Sequence, residues 1–137
     1  MTDTNDYGKK PFVFNVEQAT LENENFRVAK WTGSNLQLTL MTIPVGEDIG
    51  LEVHDDHDQF LRIEQGSAKV EMGPSENELT FNEPASDDDA IFVPAGIWHN
   101  VTNVGDEPLK LYSIYAPSEH PAGTVHTTKA EAEAAEQ

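Results

Sequence analysis

The sequence predicts an all-β fold, a sandwich or a barrel. Roughly nine or ten short runs rich in Val, Ile, Leu, Phe, Thr and Tyr recur along the chain, each closed by a turn of Gly, Pro, Asn or Asp. Several alternate with a period of two, as in a strand with one face against a core. Only residues 128–137 (TKAEAEAAEQ) have a helical composition, rich in Ala and Glu with little apolar face to dock.

In chain order, residues 1–10 are polar and short of groups to bury, which predicts a flexible N-terminal tail. Residues 11–16 (PFVFNV) are a β-prone run. Residues 26–31 (FRVAKW) and 36–43 (LQLTLMTI) flank Thr32, Gly33, Ser34 and Asn35, the composition of a hairpin turn. In the second run Leu36, Leu38 and Leu40 alternate with Gln37, Thr39 and Met41, as in a half-buried strand. Residues 59–65, 67–72, 79–81, 90–93, a strand through Val101 and Val104, and 109–115 continue the rhythm. The acids Asp87, Asp88 and Asp89 lack calcium-loop spacing and read as solvated turn residues. Residues 11–116 are therefore expected to form the barrel domain, and 117–137 a C-terminal arm with a short helix.

At 137 residues the chain is long enough for one domain with a real core. Its 25 acidic against 8 basic side chains leave a formal net charge of −17, which repels a phosphate backbone and argues against nucleic acid as a partner. No run approaches a membrane span and no targeting pattern opens the chain, so no membrane partner is expected and the cytoplasm is the expected compartment. The lack of cysteine removes disulfides, thiolate zinc sites and cysteine nucleophiles. Serine elbows, phosphate loops and paired-carboxylate glycosidase signatures are absent as well.

What remains is a set of metal-ligand side chains. In residues 46–66 (GEDIGLEVHDDHDQFLRIEQG), Glu52 and His54 lie two apart around Val53, so a strand through them points both to one face. Gln59 opens the return strand, and residues 94–103 (PAGIWHNVTN) supply His99 after a Pro and Gly turn. Glu52, His54, Gln59 and His99 are expected to converge inside the barrel on a divalent transition metal. Imidazole suits zinc, copper, iron and nickel, and the oxygen ligands suit manganese too, so Mn, Fe or Zn fits this mixed set.

Other residues leave alternatives open. His57, between Asp56 and Asp58, is expected to be exposed and stabilised as a cation, with a fifth ligand or rim base as the alternative. His120 and His126 lie in residues 116–128 (APSEHPAGTVHTT), either an ordinary surface arm or a segment that covers the barrel mouth or crosses to another subunit, where its histidines could serve as acid or base. Phe60, Phe92, Trp98, Tyr112 and Tyr115 are expected in the core. Gln59, Leu61 and Ile63 share one face by parity, which places Arg62 on the other.

The two stretches resemble the two motifs of the cupin superfamily, in its small single-domain form. Gly46, Glu52, His54, Gln59 and Gly66 keep the spacing of the first motif: glycine, five residues, His-x-His, three or four residues, Glu, six residues, glycine. Pro94, Gly96, His99 and Asn103 match the second, with Asp88 where its leading glycine is usual. The resemblance implies a single double-stranded β-helix (jelly-roll) barrel with a short C-terminal helix. Carried over by position, Glu52 replaces the first histidine and Gln59 the usual glutamate, while His54 and His99 are retained. Two imidazoles and one carboxylate survive, the composition of a facial triad with open positions.

The resemblance implies a small metalloenzyme of oxygenase or isomerase/lyase type, acting on a small oxygenated organic molecule in the barrel. The alternative is a non-catalytic cupin that binds a sugar or metabolite with a structural metal or none. A homodimer is expected by analogy with other small cupins.

Overall fold

The computed structural model describes residues 3–135. Helix α1 (Val16–Glu22) precedes eight strands: β1 (Arg27–Thr32), β2 (Gln37–Ile43), β3 (Asp58–Gln65), β4 (Ser67–Gly73), β5 (Phe81–Ser86), β6 (Ala90–Val93), β7 (Trp98–Asn103) and β8 (Leu109–Ala116). A short β9 (Val125–His126) and helix α2 (Lys129–Ala135) follow. The strands form two antiparallel sheets, one of six in the order β6-β3-β8-β2-β1-β9 and one of three in the order β5-β4-β7. This is the expected all-β jelly-roll barrel with a short C-terminal helix.

The core lies between the sheets. Met41, Ile43, Leu61, Ile63, Leu109 and Leu111 from the larger sheet meet Ala68, Val70, Ala85 and Val101 from the smaller one. The hairpin β1–β2 forms as its turn composition predicts, with a register shift between Ala29 and Trp31. At the β3–β4 turn, Gly66 has φ +102°, and a Cβ there would lie 3.2 Å from the Leu109 backbone, so the glycine is required both by conformation and by space.

Several elements differ from the sequence expectation. Residues 11–15 do not pair as a strand; Phe12 stacks between Tyr7 and Phe14 outside the ladders, and α1 begins instead. The Asn15 side chain accepts the Gln18 N–H at 2.9 Å, an N-cap that launches the helix former run VEQATLE. At its far end the buried Lys110 ammonium donates to the Leu21 and Asn23 carbonyls, satisfying groups the helix leaves open. The run expected at 79–81 starts pairing only at Phe81, and Pro84 is tolerated because β5 is an edge strand.

In β2 the inward parity is Gln37, Thr39, Met41 and Ile43, the last two in the core, while Leu36 and Leu38 stay partly exposed. Polar residues face inward at that end because the interior there is polar.

The terminal segments are tied to the barrel. Residues 3–10, expected as a flexible tail, lie along β1, with the Tyr7 N–H donating to the Lys30 carbonyl at 2.9 Å. The Asp6 carboxylate receives the Thr32 N–H and hydroxyl and the Gly123 N–H. The C-terminal arm adds β9 to β1, and α2 buries Ala132 in the core, a contact its composition did not suggest. Of the expected helix 128–137, residues 136 and 137 lie outside the described residues. None of the described helices is long and apolar enough to cross a membrane.

Candidate metal centre

Three elements bring Glu52, His54 and His99 together. Glu52 makes an isolated bridge with His99 of β7, exchanging backbone hydrogen bonds of 3.0 and 2.9 Å. The turn at Gly96 (φ +83°) donates its N–H to the His54 carbonyl at 2.8 Å, which fixes the loop carrying His54. The sequence places Glu52 and His54 in one strand, but the segment pairs only at isolated bridges; convergence comes from docking against β7.

The geometry suits a single ion. Glu52 Oε1 lies 3.3 Å from His54 Nε2 and 3.6 Å from His99 Nε2, and the three ligand atoms fall within 4.8 Å of one another. Bonds of about 2.0–2.2 Å put neighbouring ligand atoms roughly 3.0–3.5 Å apart, close to these separations. Both Nε2 atoms are buried with no hydrogen-bond partner among the described residues, despite the nearby carboxylate. The opposite nitrogens are oriented: His99 Nδ1 lies 3.0 Å from the Ile97 carbonyl and His54 Nδ1 lies 3.4 Å from Glu119 Oε2. An oxygen acceptor behind each ring is the usual outer shell of a metal-binding histidine.

Gln59 faces the interior from the opposite sheet. Its amide nitrogen donates to Ser113 Oγ at 2.8 Å, leaving Oε1 a buried acceptor without a hydrogen-bond partner among the described residues. Gln59 pairs with Tyr115 across β3 and β8, and the Tyr115 ring stands edge-on to His54 at 5.7 Å. Glu52, His54 and His99 fit a divalent ion: a carboxylate and two imidazole nitrogens without a hydrogen-bond partner among the described residues.

Electrostatics favour the ionised carboxylate at Glu52 but the protonated ring at His54, so an ion binding there would displace a proton from His54. Burial works against the Glu52 carboxylate, but the His54 and His99 imidazoles outweigh it and hold its pKa well below the usual range. Burial likewise pulls the His54 pKa down, and the Glu52 carboxylate, aided by Glu119, turns the balance upward. Burial raises the Tyr115 pKa, so its hydroxyl stays protonated. His120 is held down to about 3 by burial first and the Arg27 charge next, so its ring is neutral.

Two expectations change here. His57 is buried rather than exposed: its ring stacks on His54 at 4.6 Å and its Nε2 lies 3.3 Å from Glu119 Oε1. The cause is the C-terminal arm, which brings Glu119 over the acidic turn so that Glu119 bridges His54 and His57. Phe92 lies on the outer face, 70% exposed, and is not core. Arg62 points outward as parity predicts and pairs with Asp88 at 3.0 Å.

Sequence reasoning missed Arg27, Glu119 and Tyr115 as neighbours of the site. Tyr115 shares the inward parity of Ser113 and Leu111, and a basic residue inside the β1 run was a usable signal for Arg27. Glu119 had none, since nothing local says where an arm folds.

Comparison with known proteins places this geometry in context. The family described as the cupin domain matches residues 39–115. The chain is 62% identical over 131 residues to the uncharacterised protein YrkC of Bacillus subtilis, covering 96% of this chain and 70% of that one. The crystal structure of BH2720 from Bacillus halodurans superposes with a TM-score of 0.94 at 59% identity, covering 95% of this chain and 98% of that one. Oxalate decarboxylase OxdC of Bacillus subtilis is 30% identical over 122 residues, 79% of this chain but 30% of that longer protein.

Proposed function

The chain belongs to the cupin family, and from that premise we propose that it is a small metalloenzyme holding one divalent ion, Mn, Fe or Zn, on Glu52, His54, Gln59 and His99. Its substrate is a small oxygenated organic molecule inside the barrel, transformed by oxygenase or isomerase/lyase chemistry. The observation that carries the proposal is the meeting of Glu52 Oε1 with two buried, otherwise unpartnered Nε2 atoms from separate elements. The lyase branch has support in the likeness to OxdC, a protein named for decarboxylating oxalate. A homodimer in the cytoplasm is part of the proposal, by analogy with other small cupins.

When bound, a divalent ion supplies Lewis-acid or redox chemistry to a substrate oxygen. The chain's own residues set the surroundings. Glu119 orients the His54 and His57 rings from the arm, and the neutral His120 closes the mouth beside Tyr115, their rings 5.3 Å apart. The Tyr115 hydroxyl, kept protonated by burial, is a hydrogen-bond donor for a substrate oxygen.

The test is elemental analysis of protein purified without a histidine tag or added metal, beside the Glu52→Ala and His99→Ala variants. The expected outcome is about one transition-metal ion per wild-type chain, lost in both variants while the β-sheet circular dichroism stays. Full occupancy in both variants, or no uptake by the wild type on reconstitution, would sink the proposal. A bound ion without an exchangeable water would favour a binding protein over an enzyme.

A further inference from the structure

Arg27 is a buried cation without a carboxylate. It opens β1 at 2% exposure, and the ladder Arg27, Met41, Leu111, Ile63 across four adjacent strands turns it toward the interior. Its Nη1 lies 3.4 Å from His126 Nδ1 and its guanidinium carbon 5.3 Å from the Phe26 ring centre. Nε has no hydrogen-bond partner, and none of the ion pairs among the described residues includes Arg27. In a chain with 25 acidic side chains this is not for want of acids. Desolvating a guanidinium is costly, and an imidazole and a ring face offset that cost poorly.

Arg27 and Glu52 line one cavity of about 310 Å³, between β1, the loop 49–52 and α2. That volume is at the small end of ligand pockets, suited to a molecule of a few heavy atoms. Ile49, Leu51, Phe26 and Ala132 give it apolar walls, which strengthen an Arg–anion contact. Two other charged groups reach the cavity: Lys129, whose ammonium is engaged by Asp48, and Glu133, exposed on α2. Among the charged groups lining the cavity, Arg27 is thus the cation not engaged by a carboxylate, and Glu52 joins the same cavity to the proposed metal centre.

We infer that Arg27 is the anion anchor of this cavity and that the substrate is a small carboxylate, its charged group on Arg27 and another oxygen toward the Glu52 side of the proposed metal centre. The inference rests on the proposed metal centre for the second contact but not for the first. It separates Arg27 from a purely structural residue that holds β9 through His126.

The test compares glycolate with its uncharged analogue glycolamide, by calorimetric titration of the wild type and of Arg27→Met and Arg27→Lys, with metal content and thermal melting measured on each. The expected result is a preference for glycolate of roughly tenfold or more, the size of a charge-assisted contact, reduced to about twofold or less in Arg27→Met and partly kept in Arg27→Lys, at unchanged metal content. Equal binding of the two ligands by the wild type overturns the inference, as does an unchanged preference in Arg27→Met. If Arg27→Met does not fold, the wild-type ratio and Arg27→Lys decide. A wild type that takes up no metal yet prefers glycolate through Arg27 leaves the inference standing and removes the metalloenzyme proposal instead; metal without that preference does the reverse.

Discussion

Along β3 the barrel interior changes character within three inward-facing residues. Ile63 and Leu61 lie in an apolar depth with Leu111, Leu109, Val101 and Val70, almost entirely without exposure. Two residues on, Gln59 opens a polar end shared with His54, His57, His99 and Tyr115, also buried. At the polar end, buried atoms without a hydrogen-bond partner among the described residues accumulate: Thr39 Oγ1, Gln59 Oε1 and the Nε2 atoms of His54, His57, His99 and His120, with Arg27 Nε on the Ile63 row and Glu64 Oε1 beyond it. Such atoms each cost about 1–3 kcal/mol when left alone, so their concentration in one half means that half is built to meet something, while the other half holds the fold.

The largest test of this contrast sets one position of each half against the other. Leu111→Ala leaves a cavity in the apolar depth and is expected to cost about 2–5 kcal/mol, read as a lower denaturant midpoint at unchanged slope. Gln59→Leu removes a buried amide whose oxygen has no hydrogen-bond partner among the described residues, and is expected to cost under about 1 kcal/mol or to stabilise the metal-free protein, provided Ser113 Oγ finds another donor. Equal losses at the two sites would erase the distinction between a structural and a functional half.

How far the sequence discloses each half follows the same division. The strands and turns are legible because alternation and Gly or Pro punctuation are local signals, and the spacing of Glu52, His54 and His99 marks a site before any fold is known. Two things escape it. Period-two reasoning assigns the inner face of β2 to Leu36, Leu38 and Leu40, whereas Gln37 and Thr39 face inward, because apolar parity fails where the interior itself is polar. The arm is left open as well, a surface segment or a cover over the barrel mouth, because Glu119 and His120 reach the site through long-range contacts, such as the Gln37 amide donating to the His120 carbonyl at 2.9 Å. Local propensity carries no information about such a return. For the same reason His57, flanked by acids in a turn, reads as exposed until the arm covers it.

Asp6 sharpens the comparison from outside the barrel, because it joins the N-terminal segment, β1 and the arm that closes the polar end. Burial raises its pKa, but the Thr32 hydroxyl and the N–H groups of Gly8, Gly123 and Thr32 outweigh that and lower it below the ordinary aspartate value of 3.8. The folded state therefore binds this proton less readily than the unfolded chain. The stabilisation is fully present above the unfolded value and is lost as pH falls through it toward the lower folded value. Asp6→Asn is expected to cost about 1–2 kcal/mol at neutral pH. It should also flatten the acid side of the stability profile and speed amide exchange at Gly123 while leaving exchange at Leu111 slow. A uniform gain in exchange across both would mean that the arm and the core open as one unit.

The smallest expected effect comes from the other arginine of the six-stranded sheet. Arg62 stands between Leu61 and Ile63 on β3, so parity sends it outward, where its guanidinium meets Asp88 at 3.0 Å with both partners substantially exposed. Solvent and salt screen such a pair, and Arg62→Met is expected to change stability by less than about 1 kcal/mol, with a difference that shrinks further at high ionic strength. It should leave glycolate binding where the wild type has it. The same substitution at Arg27 removes an inward charge from an apolar-walled cavity, so the pair of variants holds residue type and chemical change constant and varies only the face of the sheet. A loss of ligand preference in Arg62→Met equal to that in Arg27→Met would show that net charge, not placement on the inward face, governs anion binding.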